Sequence, residues 1–257
     1  MRFREIFRWE VGQRLRQPAT WLYLALVSGL AVLRADATDT GIIHYHAPVN
    51  ATGSTLMVGI LGTLVTAAIF VEAAQRDVRW RMEPLFHTTP LRAPEYLGGR
   101  FAGSLLVNAL LLLTVPAGLL LGMRLTTIPP DALGTFRPQA YLLPYLVFLL
   151  PNLLVNAAVL YGLTVLTRRG IPAYLGALVL TVAYMYALIA GSRHSSPVWA
   201  LVDPTGGVAF GRMTGAWTRV ELNTSLVRPE GLLLWNRLLW TALAAGMLAL
   251  TAGRFRL

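Results

Sequence analysis

Six stretches of this chain are each apolar over about the length a helix needs to cross a bilayer, and nothing else in the sequence restricts the fold as much. A span takes roughly 20 residues at 1.5 Å rise each. The stretches are Ala19–Leu33, Thr55–Glu72, Phe101–Met123, Ala140–Thr167, Ile171–Gly191 and Leu232–Ala252. In lipid the backbone must satisfy its own hydrogen bonds, so such segments become helices. Only 13% of the 257 residues are charged, against about 25% in a soluble domain, and the mean hydropathy is +0.57. Most of the chain therefore has no water to face. The expected fold is an all-α membrane protein with six transmembrane helices and short loops. The first stretch is short, so it tilts little or lets Arg34 snorkel outward. The fourth holds Pro144 and Pro151, which predicts a kink or a break. The fifth follows the fourth after Arg168, Arg169 and Gly170, a tight helical hairpin.

The formal net charge of +10 lies between the apolar runs, which fits orientation in a bilayer better than nucleic-acid binding. Dense arginine groups lie before the first span (Arg2, Arg4, Arg8, Arg14, Arg16), after the second (Arg76, Arg79, Arg81, Arg92), between the fourth and fifth (Arg168, Arg169) and after the sixth (Arg254, Arg256). The positive-inside rule places these segments, and both termini, in the cytoplasm. The long outer segment 192–231 carries Arg193, Arg212, Arg219 and Arg228, but long loops obey the rule poorly. Trp80, Trp199, Trp217 and Trp235 lie near the expected interfaces. The first span has a basic front and an Ala35-Asp36-Ala37 pattern like that of a signal peptide. The long, structured segment before it argues for a retained span. From Phe3 to Leu15 the apolar residues Phe3, Ile6, Phe7, Val11 and Leu15 recur every three to four positions among Arg4, Arg8 and Arg14. That pattern predicts an amphipathic interfacial helix over residues 1–18.

Several chemistries are excluded or weakened. All 22 basic side chains are arginine. A P-loop needs a lysine on the nucleotide phosphates, so this chain carries no standard Walker A. With no cysteine there is no disulfide, thiolate metal site or cysteine nucleophile. No H-E-x-x-H, G-x-S-x-G or intramembrane aspartate pair is present, and the chain is not expected to be an enzyme. Only Glu72 and Arg237 enter a span, each near its end, so ion-driven transport through a buried relay loses weight. His44 and His46 in the first outer loop have a metal-compatible spacing but no obvious third ligand, and no metal or cofactor is expected. Asn108, Asn152 and Asn156 are polar residues within spans. Asn152 and Asn156 share a helix face. They either bond between helices or line a translocation path.

Residues 75–100 form the most distinctive segment. Charges of both signs alternate there with Trp80, Leu85 and Phe86, a pattern that suits docking on a protein as well as lipid headgroups. Arg76-Asp77, Thr88-Thr89-Pro90, Glu95 to Phe101, Pro151-Asn152, Leu166-Thr167-Arg168, Asp203-Pro204-Thr205-Gly206, Trp217 with Glu221 and Asn223, and Asn236 to Trp240 follow in order along nearly the whole chain. Together they resemble an ABC-2 type transporter permease, most closely the membrane region of permeases fused to a zinc aminopeptidase. The resemblance implies one permease domain over 1–257. Residues 1–18 would be its cytoplasmic elbow helix, 75–100 its cytoplasmic coupling loop, and 192–231 an outer loop of short helices. It implies coupling to an ATPase through Arg76, Asp77, Arg79, Trp80, Arg81, Glu83 and Phe86. The chain shows neither a second set of spans nor a peptidase motif, so no peptidase activity carries over. A stand-alone half-permease or one piece of a longer ancestor is expected.

The resulting expectation is the transmembrane subunit of an ATP-binding cassette exporter in a bacterial inner membrane. A separate ATPase subunit would bind ATP and Mg, and a second permease half would complete a homodimer or heterodimer in the lipid. Asn152 and Asn156 are the pathway candidates, and no nucleic-acid partner is expected. The alternative is a membrane anchor or assembly subunit with no transport cycle of its own.

Overall fold

A computed structural model describes residues 2–36, 43–79, 93–193 and 196–254, and every described element is helical. The chain starts with α1 (Arg2–Arg16) and α2 (Pro18–Asp36). Gln17 separates them. Pro18 suits a first helical turn because its missing N–H is an orphan there anyway. The Thr20 hydroxyl donates to the Arg14 carbonyl at 2.7 Å and the Trp21 indole to the Leu15 carbonyl at 3.1 Å, which closes the end of α1.

Next come α3 (Pro48–Leu61) and α4 (Thr63–Arg79). Together they are long and apolar enough for one span, with a bend of 42° between them. The bend falls at Gly62, whose carbonyl accepts from the Thr66 hydroxyl at 3.1 Å. The sequence reading had a single unbroken span here. The following span is α5 (Ala93–Leu112) continued by α6 (Thr114–Leu125). Pro116 cannot donate to Leu112 four residues earlier, which accounts for the interruption at Leu113. This span runs Pro94–Leu125, so it starts before the expected Phe101 and takes Arg100 into the helix.

A short α7 (Pro130–Leu133) precedes α8 (Gln139–Pro144), a π-helical turn at Tyr145–Leu149, and α9 (Leu150–Thr167). In the π turn the Leu150 N–H donates to the carbonyl of Tyr145, five residues back. The irregularity expected from Pro144 and Pro151 thus takes the form of one wide turn between them. The hairpin to α10 (Ile171–Arg193) turns at Arg168, whose φ of 53° is left-handed. Three short helices, α11 (Val198–Val202), α12 (Gly207–Gly215) and α13 (Arg219–Thr224), occupy the long connection, and α14 (Gly231–Arg254) closes the chain. Among the described residues five helices are long and apolar enough to cross a membrane, six with bent α3–α4 included. This is a multi-pass helical membrane protein.

The chain crosses back and forth so that α1, the end of α4 and the start of α5 share one end of the bundle. Pro94 and Leu97 of α5 line a groove with Leu248 and Thr251 of α14, which places the end of α14 there too. The first arm, α1–α2, runs alongside α5–α6 in the same direction. Gly99 and Gly103 receive Ile6 and Glu10, while Gly118 and Gly122 receive Ala31, Val32 and Ala35. A Cβ at Gly122 would stand 2.4 Å from the Val32 carbonyl oxygen. Small residues permit this backbone approach, the usual device of helix packing in lipid. Along α10, Leu175, Leu178, Val179, Val182 and Tyr186 face outward, as lipid-facing side chains do.

Candidate functional site

Two helices meet at the α1 end of the bundle through the same five-residue pattern, Glu-x-x-Gln-Arg. It occurs as Glu10 to Arg14 on α1 and as Glu72 to Arg76 on α4. A glutamate and an arginine four apart lie on one helix face. Because α1 and α4 run in opposite directions, each glutamate meets the other helix's arginine. Glu10 is fully buried. Its carboxylate accepts from Arg76 Nη1 at 2.9 Å, Arg14 Nε at 3.0 Å and the Ser104 hydroxyl of α5 at 3.0 Å. Arg14 also donates to Glu72 at 2.7 Å and to the Ile69 carbonyl at 2.7 Å. Gln17 donates to the other Glu72 oxygen at 2.5 Å. Arg100 of α5 donates to the Ala73 carbonyl at 2.8 Å. Arg76 and Arg100 lie over the Trp9 ring at 5.2 and 5.9 Å. A charge this deep is costly unless it is paired and hydrogen-bonded. Here two acids and two arginines balance, and they tie α1, α4 and α5 together at the point where the chain leaves α4.

Helix α1 buries its ionic stripe more deeply than its apolar residues, although Ile6 packs on Gly99. Phe3 and Leu15 are exposed, Ile6, Phe7 and Val11 are half-buried, and Glu10 and Arg14 are the buried residues. Among the expected coupling residues, Arg76 belongs to this cluster, with its guanidinium turned into the bundle. Asp77 and Arg79 lie on the last turn of α4. Trp80, Arg81, Glu83 and Phe86 fall outside the described residues.

The two pathway candidates sit in a separate network toward the opposite end. Asn152 donates to the Thr205 carbonyl at 3.1 Å and accepts from Arg237 Nη1 at 2.8 Å. Asn156 donates to the Thr63 hydroxyl at 3.1 Å and accepts from the Tyr184 hydroxyl at 2.5 Å. Both therefore bond between helices in this conformation. Asn108 donates to Thr66 at 3.0 Å. Asn236 donates to the carbonyls of Ala200 and Asp203 at 2.6 and 2.7 Å and accepts from Arg237, which also donates to the Pro204 carbonyl at 2.9 Å. Asp203 accepts from the backbone N–H groups of Thr205 and Val208 at 2.9 and 2.8 Å. These bonds fasten the 196–215 segment onto α9 and α14.

His44 and His46 separate. The His44 backbone N–H donates to Asn223 Oδ1 at 2.7 Å, and His46 Nδ1 pairs with the Tyr141 hydroxyl at 2.6 Å. Burial, with Arg124 nearby, holds the His46 imidazole below its ordinary pKa. Among the described residues no group of three metal-ligating side chains comes together.

The ionic cluster went unread in the sequence, although the repeated Glu-x-x-Gln-Arg pattern was there to be found. Arg14 counted only as one more cation in a basic segment, and Arg76 as a loop residue.

No protein-family model matches this chain, and no curated protein is significantly similar to it.

Proposed function

We propose that this chain is the transmembrane subunit of an ATP-binding cassette exporter, driven by a separate ATPase that binds ATP and Mg. A second permease half, identical or related, would complete the path. The observation that carries this reading is the Glu10–Arg14–Glu72–Arg76 cluster. It fastens α1, α4 and α5 to one another shortly before the segment 80–92 in the sequence, so a push passed along the chain into α4 would reach three helices at once. The order of motifs from Arg76-Asp77 to Asn236–Trp240 supports the same reading by resemblance. Absence of a P-loop lysine fits hydrolysis in a partner. Trp80 and Phe86 would anchor the ATPase, because interface energy concentrates in a few aromatic and arginine residues.

The test is purification from the native membrane in mild detergent. An ATPase subunit should co-elute, and Trp80→Ala with Phe86→Ala should release it while the chain stays inserted. The purified chain alone should hydrolyse no ATP. A chain that comes down with a stable complex lacking any ATPase would instead be an anchor or assembly subunit.

A further inference from the structure

A cavity of about 340 Å³ opens beside the ionic cluster, between α1, α4 and α10. Its walls are Gln13, Gln17, Glu72, Gln75, Arg76 and Tyr174. The glutamines of both Glu-x-x-Gln-Arg segments thus face the same space. So does the one acid of the cluster that keeps access to solvent: the Glu72 side chain is 35% exposed, against 0% for Glu10. Two buried atoms in these walls, Gln17 Oε1 and Arg76 Nε, have no hydrogen-bond partner. Arg76 is itself more than nine-tenths buried. An acceptor and a donor left unmatched in a packed site have a cost that a bound polar group can relieve.

The depth of the cavity is fixed by the spans around it. Gln17 immediately precedes the span starting at Pro18, Glu72 and Arg76 end the span of bent α3–α4, and Tyr174 lies in the first turn of the span starting at Ile171. All lie at the same end of the bundle, where apolar surface gives way to polar surface. Below the opening, α10 turns Leu175, Leu178 and Val182 outward. Exposed Arg16 follows Arg14 in sequence, and exposed Arg169 precedes Gly170, which packs against Gln75.

We infer that this cavity binds the headgroup of an amine-bearing phospholipid, phosphoethanolamine in chemistry, whose acyl chains lie along α10. A primary ammonium carries N–H donors that suit the Glu72 carboxylate and the glutamine carbonyls. A trimethylated ammonium has none. The phosphate oxygens are the acceptors that suit Arg76 Nε, the unmatched donor of the wall, as in other basic headgroup sites between membrane helices. A purely anionic lipid would match the Arg76 donor but leave the Gln17 carbonyl oxygen unmatched and set a second negative charge beside Glu72. The inference does not depend on the exporter reading.

The test is native mass spectrometry of the purified chain with phosphatidylethanolamine, its N,N-dimethyl form, phosphatidylcholine and phosphatidylglycerol of one acyl composition. Phosphatidylethanolamine should bind about tenfold more tightly than phosphatidylcholine, the dimethyl form falling between, as expected for one charge-assisted hydrogen-bonding site. Glu72→Gln also strips Arg14 of a partner and risks the fold. The decisive variant is therefore Gln13→Leu with Gln75→Leu, which should bring phosphatidylethanolamine to the affinity of phosphatidylcholine and leave the latter unchanged. Equal binding of the amine series, tighter binding of phosphatidylglycerol, or a preference that survives the double variant would each overturn the assignment. Soluble phosphoethanolamine competing as strongly as the lipid would overturn the membrane source.

Discussion

At the α1 end of the bundle a buried carboxylate is held by arginines; at the other end one is held by the backbone. Glu10 takes Arg14, Arg76 and Ser104. Asp203 takes the N–H groups of Thr205 and Val208 and the Thr205 hydroxyl, and among the described residues it forms no ion pair. Arg237, deep in the same region, is satisfied by Asn152, Asn236 and the Pro204 carbonyl. The first arrangement joins helices far apart in sequence through full charges, so removing one member strands the others. The second joins a loop to helices through bonds that mostly end on carbonyl groups, so each loss is local. One end resists disassembly as a unit; the other is a set of separate fastenings.

The largest expected effect comes from breaking the first arrangement. Glu10→Ala would leave Arg14 and Arg76 buried with too little counter-charge, at a cost of about 3–5 kcal/mol. Thermal unfolding in detergent should show a collapse of folded yield. Glu10→Leu with Arg14→Met, Glu72→Gln and Arg76→Met should recover most of it, since replacement of a whole buried ionic group is often near neutral. A harmless Glu10→Ala would undo the contrast between the two ends.

Asn236→Ala should come next. It removes the donor to Ala200 and Asp203 and one acceptor for Arg237, at about 1–3 kcal/mol. Hydrogen exchange should rise in α11 and stay unchanged in α1, whereas a rise in both would mean that the ends are coupled. Tyr184→Phe, which removes only the bond to Asn156, should cost about 0.6 kcal/mol, the average for interhelical bonds in membranes. A loss above about 2 kcal/mol, outside the range for such bonds, would place Tyr184 in a larger network.

The smallest effect is a pH dependence at the end opposite α1. His46 is held below its ordinary value of 6.5 chiefly by burial. Its neutral form is favoured in the folded protein, so its contribution is intact above about pH 6.5 and is lost as pH falls toward the folded value. Stability should therefore decline on acidification, and His46→Gln should flatten that part of the profile. An unchanged profile in the variant would exclude His46 as the source.

The spans were legible because lipid imposes a length and a composition that a sequence displays directly. Pro144 and Pro151 announced an irregular turn, since a missing N–H can be read from the residue type. Gly62 did not announce its bend, because glycine in an apolar run reads equally as close packing. Arg100 looked like the end of a loop, yet it lies within α5, its charge met by the Ala73 carbonyl and its plane by Tyr96. The ionic stripe of α1 went unread for a different reason. Periodicity separates the faces of a helix but does not say which face a neighbour will cover. Near lipid, Phe3 and Leu15 can stay outside, and the Glu10–Arg14 pair can go in only because Glu72 and Arg76 arrive from a distant part of the chain. That encounter is a tertiary fact, absent from any local pattern.

The π-helical turn at Tyr145–Leu149 makes the fourth span tolerant of a change that helices ordinarily reject. It holds one residue more than an α-turn would. Deleting a residue there should return the segment to regular pitch rather than break it, and because the wide turn and an α-turn each close about one circuit, α8 and α9 should keep their relative facing. Asn152 and Asn156 would keep their partners on one side of the turn, and Tyr141 would keep His46 on the other. The extra residue is thus a slack link, one that can be taken out of a membrane helix while both halves go on facing the same neighbours.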